Sequence, residues 1–179
     1  MASDLPPTLI ARAAAVRLLI CDVDGVLTDG RIYFSDEGVE SKAFFATDGV
    51  GLKLLQRADI EIAWITGSRA PAVEHRARVL GVKHVIMGVF DKLTPLRELC
   101  AQFNITPAAC ACIGDDLPDL PLLTACGLAI TVPHAPDALK EAAHYVTQKP
   151  GGGGAVREVC DLILAAQNKA PDATLLRSA

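Results

Sequence analysis

None of the six cysteines, at 21, 100, 110, 112, 126 and 160, stands in a CxxC pair. Most lie inside apolar runs such as AACACIG, so they read as small core residues of a protein kept in a reducing compartment. No apolar run approaches the ~20 residues that a membrane-spanning helix requires, so no membrane is expected as partner. The opening MASDLPPTLIARAAA has no basic start followed by a long apolar stretch, so no signal peptide is expected, and the cytoplasm is the expected location. Basic residues are not in excess: 17 Lys and Arg face 21 Asp and Glu, for a net charge of −4. That balance offers no electrostatic reason to expect nucleic acid, and an anionic substrate would need a local cluster of cations or a metal. There is no internal repeat and no interdomain linker. The glycine run 151–154 has no GK[ST] ending, so it is not read as a nucleotide site but as a flexible turn before the last helix, near a subunit boundary.

What the 179 residues do contain is a large apolar fraction, 51%, with 21% charged residues. This suits one globular α/β domain spanning 1–179. Short β-type runs recur at Val16–Cys21, Ile60–Ile65, His84–Met87, Ala111–Ile113, Leu128–Val132 and Tyr145–Val146. Segments of helical spacing alternate with them: Gly49–Arg57, Ala70–Leu80, Leu93–Phe103, Leu117–Ala125, Ala138–Ala143 and Ala155–Gln167. Alternation of this kind predicts βαβ units around a parallel sheet, a Rossmann-like three-layer α/β/α fold. Strands as apolar as VRLLI and IEIAWI fit a sheet covered on both faces. One stretch breaks the pattern. RIYFSDEGVESKAFF holds two β-rich arms around Ser35-Asp36-Glu37-Gly38, which predicts a β-hairpin flap within 30–45, over the carboxyl edge of the sheet. Residues 168–179 are expected to form a mobile tail.

Four segments at strand ends carry chemistry. Asp22 and Asp24 follow a buried strand directly, with Gly25 allowing the exit turn, and carboxylates two apart can aim at one point. Exposing two acids there is costly unless a cation or a reaction uses them; a polar strand terminus or helix cap is the plain alternative. In ITG, a strand delivers Thr66 into a glycine turn, suited to a phosphoryl oxygen or, equally, to an ordinary turn or cap. Lys92, in GVFDK, precedes a helix and taken alone is a solvated charge. In IGDDLPD, Asp115, Asp116 and Asp119 crowd three carboxylates into five residues, which repel unless they share a divalent cation. Helix opening alone would account for Asp116 and Asp119. His75, His84, His134 and His144 show no ligand spacing, and Trp64 reads as core.

In this order, from Leu18 to Ile130, the chain resembles the haloacid dehalogenase superfamily of phosphotransferases. The resemblance implies Asp22 as the nucleophile that forms an aspartyl-phosphate. It implies Asp24 as the acid that protonates the leaving alcohol and then activates water, and Thr66 and Lys92 as phosphoryl-binding groups. It implies Mg²⁺ held by Asp22, Asp115 and the backbone carbonyl of Asp24. Metal and lysine would offset the repulsion between a carboxylate and a dianionic phosphoryl group, and a covalent intermediate splits hydrolysis into two displacements. A second acid at 24 favours phosphoryl chemistry over dehalogenation, which has no alkoxide to protonate.

Larger members of that superfamily carry a cap domain, for which this chain has no room. The extended motifs DVDGVLTDG, FATDGVGLK, GDDLPDLP and GGGGAVREVCDLIL resemble the 3-deoxy-D-manno-octulosonate 8-phosphate phosphatases. The resemblance implies hydrolysis of that acidic sugar phosphate, a step towards the lipopolysaccharide core, by a capless homotetramer whose hairpin helps to build the shared interface. It implies a sugar pocket formed by Phe45, Ala46, Thr47, Asp48 and Gly49 with Lys53, Ser68 and Arg76, beside Asp24 and Lys92. Asp48-Gly49 is expected to open a helix with its N–H groups toward the site, and Lys53 and Arg76 to answer the sugar carboxylate. Members of that family often carry a basic residue where this chain has Ser68 and Gly153. A nine-carbon sialic-acid-type 9-phosphate is the alternative substrate, and a non-catalytic assembly module the alternative of another class.

Overall fold

A computed structural model describes residues 5–169. Six parallel strands form one sheet: β1 (Leu18–Cys21), β4 (Glu61–Thr66), β5 (His84–Met87), β6 (Cys110–Gly114), β7 (Leu128–Thr131) and β8 (Tyr145–Val146), in the order β5-β4-β1-β6-β7-β8. Two further strands, β2 (Tyr33–Phe34) and β3 (Glu40–Ser41), pair antiparallel as the expected hairpin, with Gly38 N–H donating to the Ser35 carbonyl across the turn. The hairpin strands are only two residues long and lie outside the main sheet.

Among the described residues seven helices flank the sheet: α1 (Pro7–Ala14), α2 (Ala46–Arg57), α3 (Pro71–Leu80), α4 (Leu93–Phe103), α5 (Leu120–Ala125), α6 (Asp137–Ala142) and α7 (Ala155–Ala166). The chain runs from β1 outward through β4 to β5, then returns across the sheet to β6 and continues outward the other way. Right-handed crossovers therefore put α2 and α3 on one face and α4 to α6 on the other. α7 returns to pack along α2, and α1 rests on α7. The order reverses beside β1, so a crevice opens at the carboxyl ends of β4, β1 and β6. Every residue of β1, β6 and β7 is buried, as expected for a sheet covered on both faces.

Several details differ from the sequence expectation. α1 is absent from the sequence expectation although its apolar residues Leu9 and Ala13 recur at helical spacing on its buried side; Pro7 sits at its first turn, where a missing N–H costs nothing, and Arg12 ties it down by donating to the Gly127 carbonyl at 2.6 Å. The expected helix over Leu117–Ala125 opens as a 3₁₀ turn, Leu117–Asp119, because Asp116 and Asp119 cap each other's backbone N–H groups. α2 begins at Ala46, three residues before the expected Gly49. The glycine run is a packed turn: a Cβ on Gly151 would collide with the Gly25 carbonyl, and Gly152 N–H donates to the Val26 carbonyl at 3.0 Å. Of the expected tail, Asn168 and Lys169 are tied back, Lys169 donating its ammonium to the Ala58 carbonyl at 2.6 Å; residues 170–179 lie outside the described residues.

Candidate active site

β1 carries no polar residue until it clears the core, and the first side chain beyond it is Asp22, whose N–H still donates to Ile113 of the neighbouring strand at 3.0 Å. That bond prolongs the strand by one residue and fixes the direction of the carboxylate. The chain then turns sharply, with Leu27 and Thr28 donating back to the Val23 carbonyl. Gly25 occupies this turn at φ +86°, and a Cβ there would collide with the Asp115 carboxylate, so glycine is required both for the backbone and for the acid beside it. The Thr28 hydroxyl accepts from the N–H groups of Gly25 and Gly30, at 3.3 and 3.2 Å, and closes the loop.

Around Asp22, a cavity of about 350 Å³ brings together Asp24, Thr66, Ser68, Lys92, Asp115, Asp116 and Asp119. Lys92 is buried and donates to both Asp22, at 2.5 Å, and Asp119, at 2.6 Å. Thr66 ends β4, buried, with its oxygen accepting the Ser68 N–H at 3.0 Å. Its hydroxyl proton remains to be donated into the cavity. Ser68 in turn accepts from Ala70 N–H at 3.2 Å, just before α3.

One oxygen each from Asp22, Asp115 and Asp119 lies within 4.8 Å of the others. One ammonium cannot neutralise this group. Burial pushes the Asp22 carboxyl up to about 6 against the pull of Lys92. Asp115 goes up to about 8, through burial first and then the charges of Asp22 and Asp119. For Lys92, burial alone would lower the ammonium, but the charges of Asp22 and Asp119 hold it above its usual value. A carboxylate set with surplus negative charge and only oxygen donors fits a hard divalent cation such as Mg²⁺. The oxygens of Asp119 are already engaged, one by Lys92 and the other by the N–H groups of Asp115 and Asp116, at 3.1 and 3.3 Å. Asp22 and Asp115 are the freer ligands.

Lys42 is a participant that the sequence expectations do not include, and Asp119 has a contact that they do not give it. GDDLPD offers Asp119 as one of a cation-sharing group of carboxylates or as a helix opener, whereas its bond to Lys92 depends on meeting a lysine 27 positions earlier. Lys42 comes from β3's trailing end and donates to Asp24 at 2.5 Å and to Glu40 at 2.7 Å. Nothing in its spacing from Asp24 signals the contact.

The remaining expected sugar-pocket residues lie elsewhere in the single chain. Phe45, Asp48, Gly49 and Arg76 line a separate small pocket with Phe44 and Trp64. Asp48 is buried within α2, and one of its oxygens accepts from Arg157 N–H at the start of α7, at 2.8 Å, so this side chain ties two helices and does not face the Asp22 cavity. Arg76 lies over the Phe44 ring at 5.9 Å. Ala46, Thr47 and Lys53 are exposed and line neither space. Trp64 is core, as expected, and stacks on Phe44 with ring centres 6.2 Å apart.

A family model described as haloacid dehalogenase-like hydrolase matches residues 81–159. The chain is similar to the 3-deoxy-D-manno-octulosonate 8-phosphate phosphatase KdsC of Yersinia pestis, with 51% identity over 166 residues, covering 93% of this chain and 89% of that protein. Among solved structures it is similar to the 3-deoxy-D-manno-octulosonate 8-phosphate phosphatase from Yersinia pestis, with a TM-score of 0.90, 50% identity, and 92% of this chain and 89% of that one covered. It is also similar to the enzyme of that name from Moraxella catarrhalis, in complex with a magnesium ion, a phosphate ion and KDO. There the TM-score is 0.88 and the identity 46%, over 89% of this chain and 92% of that one.

Proposed function

The chain belongs to the 3-deoxy-D-manno-octulosonate 8-phosphate phosphatase family of haloacid dehalogenase-like hydrolases, and from that membership we propose how its residues divide the work. The reaction is hydrolysis of 3-deoxy-D-manno-octulosonate 8-phosphate to the free sugar acid and phosphate, with Mg²⁺ as cofactor. We place it on the route to the lipopolysaccharide core.

The observation that carries the assignment of roles is the convergence of Asp22, Thr66, Lys92 and Asp115 on one cavity from four strand ends. Asp22, fixed at the mouth of β1, attacks phosphorus and forms an aspartyl-phosphate. Asp24 donates a proton to the leaving sugar oxygen, then withdraws one from the water that attacks the intermediate. Lys92 and the Thr66 hydroxyl face the phosphoryl oxygens and stabilise their charge, and Asp119 keeps Lys92 in place. Asp22 and Asp115, with the Asp24 carbonyl, would hold Mg²⁺, which supplies the positive charge that lets a carboxylate approach a dianionic phosphoryl group.

The cavity is open, and a homotetramer in which a neighbouring subunit covers it is part of this reading. The support is the run of exposed apolar residues on the hairpin, Ile32 at 64% and Phe34 at 66% exposure among them. The sugar-pocket roles of Phe45, Ala46, Thr47, Lys53 and Arg76 belong to the same reading, since these residues lie away from Asp22 in their own chain and would serve a neighbour's cavity, whereas Asp48 and Gly49 are buried within their own chain and take no part in it. A cytoplasmic location is supported by the six buried free thiols. No helix among the described residues is long and apolar enough to cross a membrane.

Phosphate release from a panel of acidic sugar phosphates tests the reading. The octulosonate ester should give the highest kcat/KM, and Asp22→Asn should lose roughly three orders of magnitude or more. A preference for a nine-carbon 9-phosphate would overturn the substrate, and an active Asp22→Asn would overturn the nucleophile.

A further inference from the structure

Phe90 is 79% exposed, and its ring lines the cavity that holds Asp22, beside Lys92 and Ser68. One exposed apolar side chain is ordinary, but an aromatic at the rim of a polar pocket is within reach of whatever that pocket binds, and ligand pockets are commonly lined by such rings. The backbone on either side of this ring is held in place. The Gly88 N–H donates to the Ser68 carbonyl at 3.0 Å, and Val89 N–H to the Thr66 carbonyl at 3.2 Å, so the segment before Phe90 is clamped to the turn that presents the Thr66 hydroxyl. On its other side, Asp91 accepts from Leu93 N–H at 3.1 Å and from the Thr94 hydroxyl at 2.6 Å, which joins the segment to α4. The ring edge lies against Gly67, where a Cβ would stand 3.6 Å from it. An exposed aromatic is therefore presented at a fixed position, between the two segments that face the phosphoryl group.

The rest of the lining explains what such a ring is for. The floor of the cavity is built of carboxylates, hydroxyls and an ammonium, suited to phosphate, metal and proton transfer, while Val89, Phe90 and Pro118 supply apolar surface to its walls. Of the lining residues Phe90 carries the one aromatic ring, and at 79% exposure it offers the broadest flat face to the C–H groups of a sugar chain. We propose that Phe90 is a specificity-determining residue for this reaction, the apolar platform on which the C–H face of the sugar next to the scissile ester rests. The inference deepens the substrate reading given above and rests on it. Binding energy from a part of the substrate that does not react holds the ester oxygen in line with Asp22 and Asp24.

The test compares two quantities in the same protein: KM for the octulosonate ester, and the competitive inhibition constant of inorganic phosphate, which reports the phosphoryl subsite without the sugar. Phe90→Ala should raise KM relative to that inhibition constant by about fivefold to tenfold, the range expected for one lost ring contact, and Phe90→Trp should restore most of it. If both constants move together, or neither moves, the platform role is overturned. A change in assembly mass of Phe90→Ala by light scattering, accounting for the loss, would assign the ring to a subunit contact and overturn it as well. Failure of the substrate reading looks different: the wild type itself would then show no preference for the octulosonate ester across the panel.

Discussion

Lys42, at the end of the hairpin, places its ammonium 2.5 Å from the carboxylate of Asp24, with Glu40 holding it from the other side at 2.7 Å. Burial alone would lower this ammonium, yet the hydrogen bonds it donates to Asp24 and Glu40 keep it above its usual value, so the charge is retained. The hairpin is thus connected to the residue proposed to move protons to and from the sugar oxygen. Lys42→Met keeps the aliphatic stem and removes the charge that orients Asp24. We expect kcat to fall by about tenfold to a hundredfold with a smaller change in KM, and Lys42→Arg to recover part of the loss. Steady-state kinetics on the three proteins decide it; an unchanged kcat would make the ion pair incidental.

Metal binding should depend steeply on pH. In the metal-free protein Asp115 is held up to about 8 and Asp22 up to about 6, both by burial first. A divalent cation needs these groups deprotonated, so its binding releases protons and weakens as pH falls. Apparent Mg²⁺ affinity should drop by about tenfold or more between pH 8 and pH 6. Calorimetry in two buffers of different ionisation enthalpy should detect the released protons. Asp115→Asn should lose both the affinity and its pH dependence, and a pH-independent affinity in the wild type would contradict the assignment of these acids as ligands.

Asp48 makes a separate contribution that stability measurements can isolate. One of its oxygens accepts from Arg157, while the other has no partner among the described residues, and burial pushes its carboxyl up to about 6, opposed by the Arg157 N–H and the charges of Arg157 and Arg76. The folded value lies above the unfolded one, so the cost of ionising it is absent below about pH 4, grows as pH rises to about 6, and is complete above that. Asp48→Asn keeps an acceptor for Arg157 and carries no such cost. The stability difference between wild type and variant should therefore shift by about 2 kcal/mol in the variant's favour between pH 4.5 and pH 7.5. Urea unfolding at the two pH values measures it, and a pH-independent difference would show that Asp48 is not titrating in this range.

The sheet was readable from the chain because parallel strands buried on both faces are written as unbroken apolar runs. The central strands, β1, β4, β6 and β7, are found to within one or two residues at their ends, and the half-exposed edge strands His84–Met87 and Tyr145–Val146 match residue for residue through their place in the alternation. Asp22, Thr66 and Asp115 were readable for a related reason, since a polar side chain directly after such a run has only the carboxyl edge of the sheet to occupy. Lys92 was readable by order alone. What stayed hidden was tertiary in origin. Asp119 meets Lys92 across 27 positions, and Lys42 meets Asp24 across 18, and no local pattern encodes either contact. Asp48 misled for the same reason: an acid at a helix start suggests a site for the helix's own N–H groups, whereas this one caps α7, 109 residues away.

The glycine run provides the sharpest test of how the site is supported from below. Gly151 is buried against the loop that follows Asp24, and an added Cβ would collide with the Gly25 carbonyl and come within 3.1 Å of Val26 N. Gly25 cannot yield easily, because the space where its own side chain would stand is filled by the Asp115 carboxylate. Any shift that relieves Gly151→Ala is therefore transmitted to Asp24 and Asp115 together. Gly153 is two residues along in the same run, and a Cβ there meets chiefly the Pro150 ring, at 2.9 Å, which stands apart from the catalytic loop. Gly151→Ala should cost about 1 to 3 kcal/mol of stability, as overpacking does, and should lower both kcat and Mg²⁺ affinity. Gly153→Ala should cost less than about 1 kcal/mol and leave Mg²⁺ affinity close to the wild-type value. Thermal unfolding and Mg²⁺ titration of the two variants side by side distinguish a run kept for chain flexibility, in which the two substitutions would behave alike, from one kept because a side chain at 151 would displace the metal-facing loop.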